Sequence, residues 1–186
     1  MIDVQSQKDE RNIAIDKVGV KGLSYPITVD DRVEGIQHTV GSIDMSVNLP
    51  HHSRGTHMSR FVEILNEYHR ELHIDKVGAI LAGMKKRLDA EQAHMTVSFP
   101  YFVEKAAPVS GATSLMEYRC YYIATLIDEE DVVLGVDVPV TTLCPCSKEL
   151  SERSAHNQRS EIRIRVRCNS HVWLEELIEI AEASAS

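Results

Sequence analysis

Apolar residues occupy every second position from Val132 to Val140, and this run is the feature that most limits how the chain can fold. Successive side chains of a β-strand point to opposite faces of the sheet, so a period of two predicts a strand with one face in the core. The acidic segment 128–131 separates this run from a longer apolar and aromatic run, residues 115–127. We expect the two runs to form an antiparallel hairpin.

Four further stretches have an extended pattern: residues 18–25, 36–49, 94–103 and 162–168. Pro26 is expected to interrupt the first stretch, and Gly41 to mark a bulge in the second. The first two form a plausible antiparallel pair, joined by a turn at Asp30 and Asp31. In the last stretch, arginines alternate with apolar residues and Cys168, which predicts one face in the core and a row of guanidinium groups on the other.

Helical spacing of apolar residues appears in three places: after Thr56, after Asp75 and over residues 172–183. Thr56 is a reasonable N-cap for the first helix. The short join near residues 73–75 predicts that the first two helices are antiparallel neighbours. In the last helix, Glu175 lies off the predicted apolar stripe. Cys120 and Cys168 keep the period of apolar strand faces, so both are expected in the core.

The composition is that of an ordinary globular domain, and it restricts the partners. The 186 residues carry a formal net charge of −8, which argues against a general nucleic-acid binder. No apolar run approaches the roughly 20 residues that a bilayer span needs, so no membrane partner is expected. The polar N-terminus resembles neither a secretory signal nor a transit peptide, which favours the cytoplasm. Residues 1–16 are expected to form an N-terminal arm, and residues 17–186 one domain.

The segment 141–160 combines residue types that bind metals. Cys144 and Cys146 flank a proline, Lys148 follows, and His156 comes twelve residues after the first cysteine. Thiolate sulfur and imidazole nitrogen are the ligands that zinc and similar metals prefer. The nearby Lys148 ammonium favours the thiolate form of a cysteine. Buried structural thiols are the alternative, but the segment is too polar for a core.

The ligands in this segment are too few for a structural zinc site, which usually has four protein ligands in paired short spacings. A catalytic metal instead keeps an open position for water and lowers the pKa of that water toward about 7. The residues therefore favour a metal-assisted hydrolase, with a third ligand from elsewhere in the chain. Positive charge and loop position further suggest four phosphate-binding residues: His57, Arg60, Lys148 and Arg159. For His57, an ordinary helix start at the surface is an equally good interpretation.

Several motifs resemble those of the type IB GTP cyclohydrolases of prokaryotic folate biosynthesis. They are Leu143-Cys-Pro-Cys-Ser-Lys148, Ser154-Ala-His-Asn-Gln-Arg-Ser160, Gly55-Thr-His-Met-Ser-Arg-Phe61, Val172-Trp-Leu-Glu-Glu-Leu-Ile178 and the opening Asp3-Val-Gln. Together these motifs extend over nearly the whole chain. The resemblance implies an α+β tunnelling fold, an antiparallel β-sheet backed by antiparallel helices, built from two related units of which the second is incomplete here.

The resemblance also implies an activity and an assembly. Members of that family convert GTP and water to 7,8-dihydroneopterin triphosphate and formate, usually as homotetramers with active sites at subunit interfaces. By motif match, Cys144 and His156 are the catalytic metal ligands, and Cys146 is a second candidate thiol. The expected cofactor is a divalent metal: zinc, manganese or iron.

One departure from the family bears on activity. Family members are longer, and the resemblance places the remaining metal ligand, a carboxylate, and further proton-transfer histidines after Ser186. The domain at residues 17–186 is thus expected to be truncated at its C-terminus. Two alternatives stay open: a metal-free tunnelling-fold enzyme with a cysteine nucleophile, acting on a pterin or deazapurine, and an inactive fragment that metal binding stabilises.

Overall fold

The computed structural model describes residues 14–51, 55–68, 70–152 and 155–185, and within them it has one antiparallel sheet covered by helices. The strands are β1 Ile15–Asp31, β2 Gly35–Leu49, β3 Ala93–Ala106, β4 Thr113–Leu126, β5 Glu130–Leu143 and β6 Asn157–Val166. The helices are α1 Ser59–Glu67, α2 Ile74–Leu88, α3 Pro145–Leu150 and α4 Leu174–Ser184. This arrangement confirms the predicted α+β class and is consistent with a tunnelling fold. The duplication of a unit stays a prediction.

The six strands follow one another across the sheet in chain order, β1 to β6. The predicted hairpin of β4 and β5 is confirmed, with Leu126 opposite Glu130 next to the turn. Helices α1 and α2 connect β2 to β3 along the chain. Helix α2 packs on the sheet from β2 to β5. Helix α4 packs mainly on β5. None of the described helices has the length and apolarity needed to cross a lipid bilayer.

The core lies between the helices and one face of the sheet. Alternate residues of β2, β3 and β4 are buried there, as the period of two predicts. The predicted stripe of α2 is also confirmed, since all its members are buried: Val77, Ile80, Leu81, Met84 and Leu88. Full burial of one such side chain stabilises the fold by about 1.5–3 kcal/mol, so this layer dominates stability.

Two predictions for the first hairpin are wrong. Strand β1 continues through Pro26, which lies opposite Val40; β1 is an edge strand, where a residue without an N–H donor is tolerated. The irregular pairings fall within β1 and not at Gly41. Gly41 serves packing instead, because an added Cβ would come within 2.9 Å of the Ile27 side chain and 3.2 Å of Val97.

The start of α1 also differs from the prediction. Thr56 does not cap the helix, which begins at Ser59 with Met58 in the N-cap position. A turn overlaps the helix start, since the Arg60 N–H donates a 3.1 Å hydrogen bond to the His57 carbonyl oxygen. Thr56 is buried, and its hydroxyl makes no hydrogen bond within the described residues. The predicted N-terminal arm falls mostly outside the described residues, and β1 already begins at Ile15.

Of the two cysteines expected in the core, one is there and one is not. Cys120 is fully buried on β4, as predicted. Cys168 is exposed, because β6 ends at Val166 and the alternation of faces ends with it.

Candidate active site

The loop between β5 and β6 brings Cys144 and His156 together. The two strands pair up to Leu143 opposite Asn157, and the next residue on each side is Cys144 or His156. The Cys144 N–H donates a 3.1 Å hydrogen bond to the His156 carbonyl oxygen. Twelve residues apart in the chain, these two residues therefore face each other where the hairpin opens into its loop.

The short helix α3 occupies the first part of this loop. Pro145 stands at its first position, where the fixed φ of proline suits a helix start and its missing N–H is not needed. The Lys148 N–H donates to the Cys144 carbonyl oxygen at 3.1 Å, which closes the first turn onto the cysteine. None of the residues of α3 is buried, and the Cys146 and Lys148 side chains are both exposed.

The position of Cys144 before α3 favours its thiolate. The pKa of the Cys144 thiol is lowered, first by the backbone N–H and the hydroxyl of Ser147 and further by the charge of His156. The Cys144 side chain makes no capping hydrogen bond to the start of α3. A half-buried thiol with a lowered pKa is both a better nucleophile and a better metal ligand than an ordinary cysteine.

The imidazole of His156 is oriented by its neighbour. Its Nδ1 lies 3.2 Å from the Asn157 carbonyl oxygen. A carbonyl can only accept, so Nδ1 carries the proton in this contact, and Nε2 would offer its lone pair when the ring binds a metal. Histidines that bind metals are commonly held by this kind of hydrogen bond, which sets the tautomer and leaves the other nitrogen as ligand.

The donor types at this loop fit a divalent metal, but their number is incomplete. A thiolate sulfur and an imidazole nitrogen suit zinc and, with added oxygen ligands, manganese or iron. Among the described residues, no group of three or more His, Cys, Asp or Glu side chains is arranged to hold a metal. Cys144 and His156 therefore supply two ligands at most, and Cys146 does not complete a group of three with them.

The four residues suggested for phosphate binding divide between the two ends of the sheet. Lys148 is on α3, and Arg159 is exposed on β6 opposite Thr141, so both belong to the hairpin end that carries Cys144. His57 and Arg60 follow β2 and lie at the other end, where Val47 pairs with Ala93. One Arg60 nitrogen donates to the Arg87 carbonyl oxygen at 3.3 Å, at the end of α2. A single chain does not bring the two pairs together.

Sequence reasoning missed a pair of buried carboxylates, Asp31 and Glu175, under the end of the sheet that holds the β1–β2 turn. Glu175 was expected off the apolar stripe of α4, but only 5% of it is exposed. One Glu175 oxygen accepts hydrogen bonds from the Arg32 N–H at 2.8 Å and the Tyr101 hydroxyl at 2.7 Å. Asp31 shares the same hydroxyl, at 3.1 Å. A sequence signal existed, since Glu175 stands three residues before buried Ile178 on a helix.

The row of arginines on β6 and just after it is largely engaged with acids. Arg163 pairs with Glu161, Arg165 with Asp137 at 2.8 Å, and Arg167 with Asp131. Arg165 also covers the Tyr121 ring, with its guanidinium 4.3 Å from the ring centroid. These contacts support the interpretation of this row as a polar outer face.

Comparison with known proteins identifies the family. A family model described as type I GTP cyclohydrolase folE2 matches residues 1–186. The chain is 57% identical to GTP cyclohydrolase FolE2 of Geotalea uraniireducens over 186 residues, which cover 100% of this chain and 69% of that protein. For GTP cyclohydrolase FolE2 of Geobacter sulfurreducens the identity is also 57%, over 100% of this chain and 72% of the relative. The chain therefore belongs to the folE2 family of type I GTP cyclohydrolases.

Proposed function

We propose that this chain hydrolyses GTP to 7,8-dihydroneopterin triphosphate and formate, as a GTP cyclohydrolase of folate biosynthesis. The observation that carries the proposal is the 57% identity, over all 186 residues, to proteins named GTP cyclohydrolase FolE2. The facing positions of Cys144 and His156 support it, because they put a thiol with a lowered pKa beside an oriented imidazole.

Cys144 and His156 are the proposed ligands of a divalent metal, with Cys146 as a further candidate and zinc, manganese or iron as the ion. When bound, such a metal supplies Lewis-acid chemistry and a water that is deprotonated near neutral pH. Nε2 of His156 and the Cys144 thiolate would hold the ion. The remaining ligands would come from outside the described residues, or from another subunit.

Triphosphate binding in this proposal involves Lys148 and Arg159 beside the thiol and His57 and Arg60 at the opposite end of the sheet. A substrate cannot contact both ends of one sheet. The proposal therefore includes a homotetramer in which a site combines one end of one subunit with the other end of its neighbour.

A cytoplasmic location is part of the proposal. All four cysteines are free thiols, and free thiols are characteristic of reducing compartments.

The first test is a GTP turnover assay with metal analysis on the purified chain and its variants. We expect about one divalent metal per chain, lost in Cys144→Ala and His156→Ala together with formate release from GTP. The matched controls are Cys168→Ala and His38→Ala, which remove an exposed thiol and an exposed imidazole outside the loop. Full turnover in Cys144→Ala would contradict the proposal. So would a metal content unchanged in both loop variants.

A metal-free cysteine nucleophile is the second candidate function, favoured by the lowered pKa of the Cys144 thiol. Such an enzyme would act on a pterin or deazapurine and form a covalent bond through sulfur. Chelation separates the two candidates. The cyclohydrolase loses turnover with EDTA and regains it with zinc or manganese, whereas the cysteine enzyme is insensitive to EDTA and is inactivated by iodoacetamide with or without metal.

A further inference from the structure

A cavity of about 630 Å³ lies beside Glu175, between α4, the β1–β2 turn and the end of β3. Its charged lining is unbalanced, with five carboxylates against the cations Arg32 and Lys105. The carboxylates belong to Asp31, Glu34, Glu104, Glu175 and Glu179. The rest of the wall is largely apolar and includes Phe102, Val103, Leu115 and Ile178.

Both cations of the cavity already have partners. The Arg32 guanidinium pairs with Glu179, one turn after Glu175 on α4. The Lys105 ammonium donates to Glu182 at 2.7 Å, a further turn along the same helix. Neither cationic group forms an ion pair with Asp31 or Glu175, although the Arg32 charge attracts Glu175 from its pair with Glu179. Of the two cationic residues, only Arg32 donates a hydrogen bond to Glu175, and it does so through its backbone N–H.

Hydrogen-bond donors at the carboxylate pair are also too few. The Tyr101 hydroxyl has one proton to share between Glu175 and Asp31. Asp31 has three other donors: the backbone N–H groups of Val33 and Glu34, both at 2.8 Å, and the Gln37 amide at 3.1 Å. Besides the Tyr101 hydroxyl, Glu175 has only one hydrogen-bond donor, the Arg32 backbone N–H. Its second oxygen, Oε2, is buried with no hydrogen-bond partner among the described residues.

Glu175 is in the first turn of α4, and its side chain is almost completely buried. A buried carboxylate with an unpartnered oxygen is rare in proteins, since buried polar groups are nearly always hydrogen-bonded. This oxygen is thus an acceptor in need of a donor, in a residue that lines an acidic cavity.

The volume and the lining select the kind of donor. A cavity of several hundred Å³ is the size of a small-molecule site and far exceeds a single ion. An ammonium group offers three N–H donors and one positive charge, and an alkyl chain matches the apolar wall. We propose that this cavity binds a small aliphatic amine, with its ammonium group on Glu175 and Asp31. The proposal is independent of GTP hydrolysis.

The test is a calorimetric titration of the full chain with 1,4-diaminobutane. We expect a dissociation constant below about 1 mM, raised at least about tenfold in Glu175→Gln, which keeps the shape of the side chain but removes its charge. Glu63→Gln removes an exposed carboxylate on α1, away from the cavity, and should leave the affinity within about twofold. Equal weakening in both variants would mean diffuse attraction to an acidic protein and would overturn the proposal.

A second variant guards against misfolding of Glu175→Gln. Leu115 is 68% exposed on the cavity wall, so Leu115→Lys brings a competing ammonium to the site without disturbing the core. Its control is Leu150→Lys, at a residue that is 90% exposed on α3. We expect Leu115→Lys alone to abolish amine binding. No binding heat from the wild-type chain, or the same heat from 1-butanol or KCl, would refute the amine site.

Discussion

At the scale of single residues, the proposed chemistry depends on where the chain places one thiol and one imidazole. Cys144 follows the last paired residue of β5, and His156 precedes the first paired residue of β6. The strand pairing therefore holds both backbones, while Ser147 in the short helix between them helps to lower the pKa of the Cys144 thiol. Rigid strands on both sides give a site more precision than a free loop would.

The lowered pKa of the Cys144 thiol predicts alkylation at unusually low pH. The thiolate is the reacting form, so a lowered pKa shifts the pH midpoint of iodoacetamide labelling below that of the same cysteine in the urea-unfolded chain. His156→Ala should move the midpoint of the folded, metal-free chain upward, because it removes a stabilising positive charge. Mass spectrometry of the Cys144 peptide across pH measures both. Identical midpoints in folded and unfolded chains would contradict this assignment.

At the scale of elements, the edge strand β1 is held unusually close to β2. Gly19 pairs with Ser46 between two irregularities of β1. An added Cβ there would fall 1.9 Å from the Met45 carbonyl oxygen and 2.6 Å from Ser46 Cα. Both are backbone atoms of a strand that is paired on its other side, so they cannot move without disturbing the sheet.

Two Gly→Ala substitutions should therefore change stability in opposite directions. Gly19→Ala forces β1 away from β2 and should lower the free energy of unfolding by about 1–3 kcal/mol. Gly83→Ala, in α2, meets only ordinary contacts, the nearest being the Tyr68 hydroxyl at 3.7 Å. It should raise the free energy of unfolding by up to about 1 kcal/mol, since alanine favours helix more than glycine does. Urea unfolding followed by circular dichroism measures both; equal effects would show that the close approach at Gly19 is relieved cheaply.

At the scale of the whole molecule, the sheet has one covered face and one open face. The helices cover the first. The second carries large apolar side chains that are between 38% and 53% exposed, among them Ile36, Val40 and Ile123. β1 and β6 are the edge strands of the described sheet, and such edges offer unpaired N–H and C=O groups to another chain. These surfaces are suited to contact between subunits.

The expected assembly is a tetramer, which light scattering after gel filtration can measure. The mass should be about four times the chain mass of 20.9 kDa. Val40→Glu places a charge on the open face without reaching the core and should shift the mass toward the single chain. As its control, Val109→Glu changes a residue that is 99% exposed in the β3–β4 turn and should leave the mass unchanged. A wild-type mass equal to one chain would contradict the tetramer.

Periodicity in the sequence was enough to predict every long strand and the two core helices. The alternation of β5 and the stripe of α2 depend on local geometry, which repeats every two or 3.6 residues whatever the surroundings. Predictions that depend on context were wrong. Pro26 continues a strand because β1 lies at an edge, Cys168 is exposed because β6 stops at Val166, and Thr56 does not cap a helix that starts three residues later.

For the site, the residue types of the loop and its motifs were sufficient to predict a thiol and imidazole centre and a family, and the family match confirms the latter. What only the tertiary structure decided is that Cys144 and His156 lie at the opposite end of the sheet from His57 and Arg60. Strand register sets those distances, and register arises from pairings between segments far apart in the chain. Glu175 shows the same limit, because its burial beside Tyr101 and Asp31 depends on how α4 packs against strands more than 70 residues earlier in the sequence.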